Sequence, residues 1–407
     1  MSDNPEIPEV DLEQDVLSER EMLHDLEIVD ESRPDRVIKV IRTSDRILFK
    51  RCRRRWAWQS HLRYNLGPVQ KASPLWLGSG IHYALEDFHG YQQHKRPRDA
   101  FIAYCNATAA YNGKSLPETV MDDIRLGVGM MDYYELWLQG RDPLATYVFQ
   151  GKLQTEVNFK IKLPWPEGKF GIDDVYYSGQ IDRVVEDSNG QLWLMEYKTA
   201  KAMFMSHFLT DPQVGSYMWG AYCIYPKPIV GVIYQQHKKM VPKAPKILAK
   251  GTISTAEHQT TTHRHYRQAL INIYGEVSNA PAENVKYLNK LAMAETPDMD
   301  AFIRRDRVYR NFHSVAAEGA KIMMEVEEML NPDLPLYPNP TRQCAMECPF
   351  GSACVSIDDG SDWEYELNLT MEPREKSYDS WRAFLRVPQN ILNIEAALNE
   401  GEFYSGQ

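Results

Sequence analysis

Val175-Tyr-Tyr-Ser-Gly-Gln-Ile-Asp182-Arg-Val-Val-Glu-Asp187-Ser-Asn-Gly190-Gln-Leu-Trp-Leu-Met-Glu196-Tyr-Lys198-Thr199 is the stretch whose reading decides the fold. Two runs rich in β-branched and aromatic residues flank the turn signal Asp187-Ser188-Asn189-Gly190, the local pattern of paired antiparallel strands. Glu196 and Lys198 stand two residues apart in the second strand, so the period of two puts both on one face. Whether Asp182 joins them depends on the loop. A two-residue turn at Asn189-Gly190 pairs Ser188 with Gln191, sets Asp182 opposite Tyr197 and separates the acids. A three-residue loop, Ser188 to Gly190 with Gly190 left-handed, pairs Asp187 with Gln191 and sets Asp182 opposite Glu196. The second register makes a site, and it is the one expected.

Carboxylates gathered in this way suit a hard divalent cation such as magnesium, which prefers oxygen ligands and keeps several waters. A lysine beside them adds a fixed positive charge. Such a cation lowers the pKa of a bound water and stabilises charge developing on a phosphate, so phosphodiester hydrolysis is the chemistry indicated. An isolated Glu-x-Lys is more often a surface ion pair, and the weight therefore rests on the segments around the hairpin.

At these residues the sequence resembles the PD-(D/E)XK nuclease superfamily, with Asp182 and Glu196-Tyr197-Lys198 matching its acid and E-x-K elements. His82 and Glu86 in Gly78-Ser-Gly-Ile-His-Tyr-Ala-Leu-Glu86, and Gln213 with Tyr217, look like the flanking motifs of RecB-like exonucleases. Four cysteines resemble that branch's iron–sulfur members, which include AddB-type nucleases and the nuclease associated with CRISPR adaptation. The resemblance runs in ordered motifs from residue 40 to residue 355. It implies an α/β (α+β) restriction-endonuclease-like fold, a mixed central sheet flanked by helices, with a helical lobe and an iron–sulfur domain formed by the chain ends. It further implies magnesium or manganese held by His82, Asp182, Glu196 and the backbone carbonyl of Tyr197. Lys198 would act with the two acids, Glu86 would support His82, and Gln213 with Tyr217 would hold single-stranded DNA.

A chain of 407 residues with 43% hydrophobic and 25% charged residues is globular and long enough for a large core. Its net charge of −10 argues at first against a nucleic-acid partner. The acids, however, concentrate in Met1 to Glu31, which reads as a solvated tail, and the remaining body is nearly balanced. Within it Lys50-Arg-Cys-Arg-Arg-Arg55, Lys238-Lys239 through Lys250, and Arg304-Arg305 with Arg307 and Arg310 form local basic patches. No apolar run approaches the length that spans a bilayer and no signal-peptide pattern opens the chain, so the expectation is a soluble cytoplasmic protein, of a bacterial cell or of a host cell if the gene is viral. Six cysteines in so large a chain point to a reducing compartment and a metal or cluster site.

Taken in order, the expected segments are an acidic tail (1–36), an opening helix with a first cysteine (37–65), a helical lobe (66–150), a nuclease core (151–335), a cysteine loop (336–356) and a C-terminal tail (357–407). Thr43 or Ser44 caps a helix running through Ile47, Leu48 and Trp56 with Cys52 inside it. A second helix carries Ile81 to Tyr91, and two more lie between Arg98 and Gln139, separated at Ser115-Leu-Pro117. Leu153 to Leu163 alternates as a strand, with Glu156 a candidate extra acid. Asp211 caps a helix that begins at Pro212. After a strand at Ile229–Gln236, a Lys- and Pro-rich stretch to Thr262 reads as a mobile loop. Helices at His263–Val277 and Glu283–Ala294, a strand at Ala301–Arg310 and a helix at His313–Leu330 follow.

Cys344-x-x-x-Cys348-Pro-Phe-x-x-x-Cys354 makes a poor core and a good cluster half-site. Through the resemblance Cys52 becomes the fourth ligand of a [4Fe–4S] cluster. The three-residue gap between Cys344 and Cys348, where many relatives have two, leaves tetrahedral zinc open. Cys105 and Cys223 read as core residues. The function expected is a metal-dependent DNA exonuclease acting on single-stranded or fraying ends in recombination, repair or CRISPR adaptation, with a partner protein from those pathways. A structure-selective endonuclease uses the same acids, and a non-catalytic DNA-binding iron–sulfur adaptor is the alternative from another class.

Overall fold

A computed structural model describes residues 36–374 apart from 70–74, 91, 112–117, 139–141, 204–209, 297, 343 and 345–347. The acidic tail, the Ser115-Leu-Pro117 break, and Trp381 and Phe384 of the C-terminal tail lie outside the described residues. The chain enters as β1 (Ile38–Arg42), α1 (Thr43–Arg51), α2 (Arg53–Gln59) and β2 (Leu66–Pro68), followed by α3 (Leu75–His89), α4 (Pro97–Tyr111) and α5 (Glu118–Leu138). Strands β3 (Ala145–Thr146), β4 (Val148–Phe149), β5 (Lys152–Leu153) and β6 (Thr155–Lys162) lead to β7 (Asp174–Glu186) and β8 (Leu192–Ala200). Helix α6 (Pro212–Ile224) connects to β9 (Ile229–Lys238), and α7 (His263–Tyr274) with α8 (Ala282–Ala294) precedes β10 (Ile303–Tyr309) and α9 (Phe312–Leu330). Helices α10 (Gly351–Asp359) and α11 (Trp363–Thr370) and strand β11 (Met371–Pro373) follow.

The central sheet runs β1-β7-β8-β9-β10, with β3 and β6 also paired to β7. It is mixed: β1 with β7 and β8 with β9 are parallel, and the other pairs are antiparallel. Both faces are covered, which is why successive residues are buried at Val184–Val185 of β7 and Leu192–Met195 of β8 rather than alternate ones. One face packs Tyr177, Ile181, Leu194 and Tyr234 against α6 and α9 residues such as Met218 and Ile322. The other packs Val185, Trp193, Met195 and Tyr197 against Ile81, Leu85 and Tyr134 of the helical layer α3–α5.

The hairpin loop is the three-residue one. Asp187 N–H donates to Gln191 O at 3.0 Å, Gly190 N–H to Asp187 O at 2.9 Å, and Gly190 has φ +73°. The Asp187 carboxylate accepts from the N–H groups of Asn189 and Gln191, both at 2.9 Å, and from the Trp193 indole at 3.1 Å, so one side chain ties the turn together.

Three local expectations are corrected. The opening helix is two helices: Cys52, at φ −166° and ψ 117°, is extended and breaks α1 from α2, where it sits at the N-cap. Asp45, not Thr43 or Ser44, secures the start of α1 by accepting the Arg42 N–H at 3.1 Å. The cysteine stretch is not all loop, because Cys354 lies in the first turn of α10. The tail returns to the opening segment: β11 pairs antiparallel with β2, and Trp58 meets Phe350, Ala353, Leu367 and Met371 in a small apolar cluster that Cys348 and Cys354 border.

Candidate active site

Strand β7 has different partners along one edge. It pairs with β1 from Asp174 to Ser178 and with β8 only from Arg183 onward. Asp182 stands where the hairpin partners part. Counting on from the Arg183–Met195 pair sets Asp182 across from Glu196. The Tyr197 N–H donates to Asp182 Oδ2 at 2.7 Å, so a side chain has replaced a backbone acceptor as the strands diverge. On the other edge Thr155 pairs with Arg183 and Val157 with Ile181, which puts Glu156 opposite Asp182.

Both strands turn over at that row. Val157 and Ile181 belong to the layer under α6, whereas Thr155 packs against Gly90 just beyond α3, and Arg183 reaches Tyr197 Oη at 3.5 Å on the α3 side. Residues two apart in a regular strand share a face. Glu156 has φ +47°, a left-handed conformation unfavourable for a residue with a Cβ, and this is the turn-over point. The strain brings a third acid beside the hairpin.

Helix α3 crosses over this row and delivers His82. Its Nδ1 lies 3.3 Å from Asp182 Oδ1 and 4.0 Å from Glu156 Oε1. Ligand atoms of His82, Glu156 and Asp182 all fall within 4.8 Å of one another, the only such set of His, Cys, Asp or Glu among the described residues. Imidazole with two carboxylates suits manganese as well as magnesium. Glu86, one turn further along α3, is half-buried and stands outside that set.

Glu196 and Lys198 complete the other half. The Lys198 ammonium donates to Glu196 Oε1 and, at 3.1 Å, to Gln213 Oε1. The Gln213 amide in turn donates to Glu196 Oε1 at 2.9 Å and lies 2.9 Å from the Tyr217 hydroxyl. Gln213 is placed by the start of α6, where Pro212 occupies the first turn and Asp211 accepts the Gln213 N–H at 2.8 Å. Asp211 also accepts from the Tyr234 hydroxyl at 2.8 Å, fastening the helix to β9. Glu196 Oε2 is buried with no hydrogen-bond partner, a costly state for a carboxylate oxygen and one that a bound cation would relieve.

The electrostatics follow from this crowding. Burial and the neighbouring Asp182 charge push Glu196 up to about 7, against the pull of Lys198. Burial acts to lower His82, but the charges of Asp182 and Glu156 outweigh it and raise the imidazole to about 9. Asp182 is lowered, because the His82 and Lys198 charges overcome its burial. Burial drives the Tyr217 hydroxyl well above the ordinary phenol value, so it stays neutral where it accepts from the Gln213 amide.

Arg46 was not singled out by sequence reading. It is fully buried, donates to Ser216 Oγ at 2.8 Å and Pro212 O at 3.3 Å, and pairs with Glu318 at 2.7 Å and with Glu325. The residue therefore braces the turn of α6 that carries Gln213. Its signal was slight, since one Arg among many on an opening helix reads as surface.

Three of the candidate thiols, Cys52, Cys344 and Cys348, lie near one another where the C-terminal segment returns to α2. Burial raises Cys348, and Cys344 and Cys52 are near enough to add to the rise. Arg54 Nη1 lies 3.2 Å from Cys354 Sγ. A tetrahedral zinc site needs thiolates about 3.8 Å apart, given Zn–S bonds of about 2.3 Å. No such closed set occurs among the described residues. Cys105 is buried in the helical layer and Cys223 borders the layer under α6.

Residues 47–355 match the family model of the PD-(D/E)XK nuclease superfamily. The chain belongs to that superfamily, whose members are hydrolases that cut nucleic acids with divalent metal ions. The mixed sheet flanked by helices is the fold of the class. No curated protein matches. Among solved structures, one titled "Crystal structure of SSO0001" is similar at 14% identity and TM-score 0.22, over 63% of this chain and 77% of that one. No helix among the described residues is long and apolar enough to cross a membrane.

Proposed function

We propose that the protein is an exonuclease that hydrolyses single-stranded DNA from its ends, working in recombination, repair or CRISPR adaptation. The observation that carries the reading is the convergence of His82, Glu156 and Asp182 on one point beside the Glu196–Lys198 pair. His82, Asp182 and Glu196, with the Tyr197 carbonyl and Glu156, would hold magnesium or manganese. When bound, the cation supplies Lewis acidity to the phosphate and a more acidic water. Lys198, held by Glu196 and Gln213, directs its ammonium at the attacking water or the phosphoryl oxygens. Glu86 supports His82 from the same helix, and Gln213 with Tyr217 lines the path of the strand.

The thiols of Cys52, Cys344, Cys348 and Cys354 would hold a [4Fe–4S] cluster that joins the opening helices to the C-terminal segment. End-labelled single strands of both polarities, incubated with magnesium or manganese, test the activity. Successive shortening from one end is expected, and internal cuts in circular single strands would replace the exonuclease with an endonuclease.

A further inference from the structure

The segment between β9 and α7 is an ordered arm, not the mobile loop its composition suggests. Lys243 N–H donates to Thr260 O at 2.6 Å, Ser254 N–H to Lys246 O at 2.8 Å, and Leu248 N–H to Thr252 O at 2.8 Å. Ile247 bridges antiparallel to Ile253, and Gly251 at φ +78° closes the tip. The base is anchored where Ile253, 2% exposed, packs with Tyr266, Leu270, Tyr287 and Leu288. There Asn284 Nδ2 donates to Ile253 O at 2.9 Å, and the Tyr266 hydroxyl to Ser254 O at 3.1 Å.

What this arm displays is unusual for a solvated turn. From Lys238 to Ala256 the chain carries five lysines and no acid, although the protein as a whole is acidic. Lys243, Lys246 and Lys250 are exposed, and none of them is in an ion pair among the described residues. Between the last two, Ile247 is 59% and Leu248 37% exposed at the tip. A lysine run alone is ordinary surface, but an anchored hairpin that holds two aliphatic side chains in water between cations is not needed for solubility or for the core.

The arm also springs from the edge of the site. Lys198 pairs with Gln236 in the β8–β9 ladder, and Ala200 with Lys238, after which Lys239 N–H still reaches Ala200 O at 2.8 Å. The arm thus leaves the sheet two residues beyond the level of Lys198, about 7 Å along the strand.

We propose that the arm at 239–262 is a second nucleic-acid contact: its lysines lie along the phosphates of the incoming strand and Ile247 with Leu248 rests on unpaired bases. The two halves match the two faces of a single strand, charge for the backbone and apolar contact for the exposed base planes. The inference rests on the nuclease reading and names the element that feeds the strand to the site.

The test is binding of a fluorescein-labelled oligothymidylate in EDTA, where no cleavage occurs, measured against salt concentration. For Lys243→Glu/Lys246→Glu/Lys250→Glu the affinity falls about tenfold or more, and the slope of log affinity on log salt becomes shallower by about two. For Ile247→Ser/Leu248→Ser the affinity falls about fivefold with the slope unchanged. All five positions are exposed or at the tip, so melting temperatures stay at the wild-type value. Wild-type affinity and slope in both variants, with cleavage of single strands intact, would overturn the arm and leave the nuclease reading standing. Such a result would leave a partner protein to occupy the tip. A wild-type protein that neither binds nor cuts nucleic acid would overturn both.

Discussion

Lys198 holds no metal-binding position yet sits between Glu196 and Gln213, so its loss separates chemistry from binding. Lys198→Ala should lower single-strand cleavage by at least about 10²-fold, while manganese and oligonucleotide affinities stay near wild type. Asp182→Asn should lower manganese affinity as well, because it removes a hard charged ligand from the point where His82 and Glu156 meet. Calorimetric titration of both variants tells the roles apart, and equal metal loss in the two would refute the division. His237, in β9 with its ring against Tyr134 of α5, gives a pH signature. Burial, with the Arg305 charge, depresses it to about 3, so in the fold it is neutral while unfolded chains take up a proton below about 6.5. Its contribution is therefore complete above that value and is lost as pH falls, by about 1.4 kcal/mol at pH near 5.5. Urea unfolding should show a shallower acid-side decline in His237→Gln than in wild type. A parallel decline would show that the imidazole does not stay neutral.

At the scale of elements, the hairpin was legible because its turn chemistry is local. Gly190 takes the left-handed conformation at φ +73°, and a Cβ there would meet nothing closer than Glu186 Oε1 at 3.5 Å. Gly190→Ala should thus cost about 1 kcal/mol of unfolding free energy from backbone strain alone, with Gly190→Asn costing less. Equal stability of the three proteins would mean that the loop relaxes to another turn. Asp211 and Pro212 announced α6 by the same kind of local rule. What could not be read was set by distant contacts. Glu156 reads as a candidate extra acid, but the turn-over that aims it inward shows only in its pairing with the Asp182 row. Arg46 looks like one more basic surface residue until α6 and α9 close over it. The break at Cys52 was hidden because helical periodicity continues across it, and the arm was hidden because its order comes from a satellite core contributed by α7 and α8.

On the scale of the whole molecule, the chain closes on itself through β2 and β11 and through the apolar cluster around Trp58. Anaerobically purified protein should be brown and contain iron and sulfide in equal amounts. Cys52→Ser should lose the colour and loosen the C-terminal segment to proteolysis, whereas Cys105→Ser, buried among the helices of the other layer, should keep both. One zinc and no colour would replace the cluster, and neither metal would remove it. Trp58 with Phe350, Leu367 and Met371 gives the closure an apolar support that any loss of metal leaves in place.

That closure also sets a clock on biosynthesis. Leu66–Pro68 leaves the ribosome early, but its partner Met371–Pro373 is made some three hundred residues later. At about 5–20 residues per second the interval is roughly 15–60 s. The hairpin, α6 and β9 lie between the two strands and have emerged before the late one arrives. A nascent chain can therefore assemble its central sheet while Trp58 still waits uncovered, and the clasp shuts after the sheet is made.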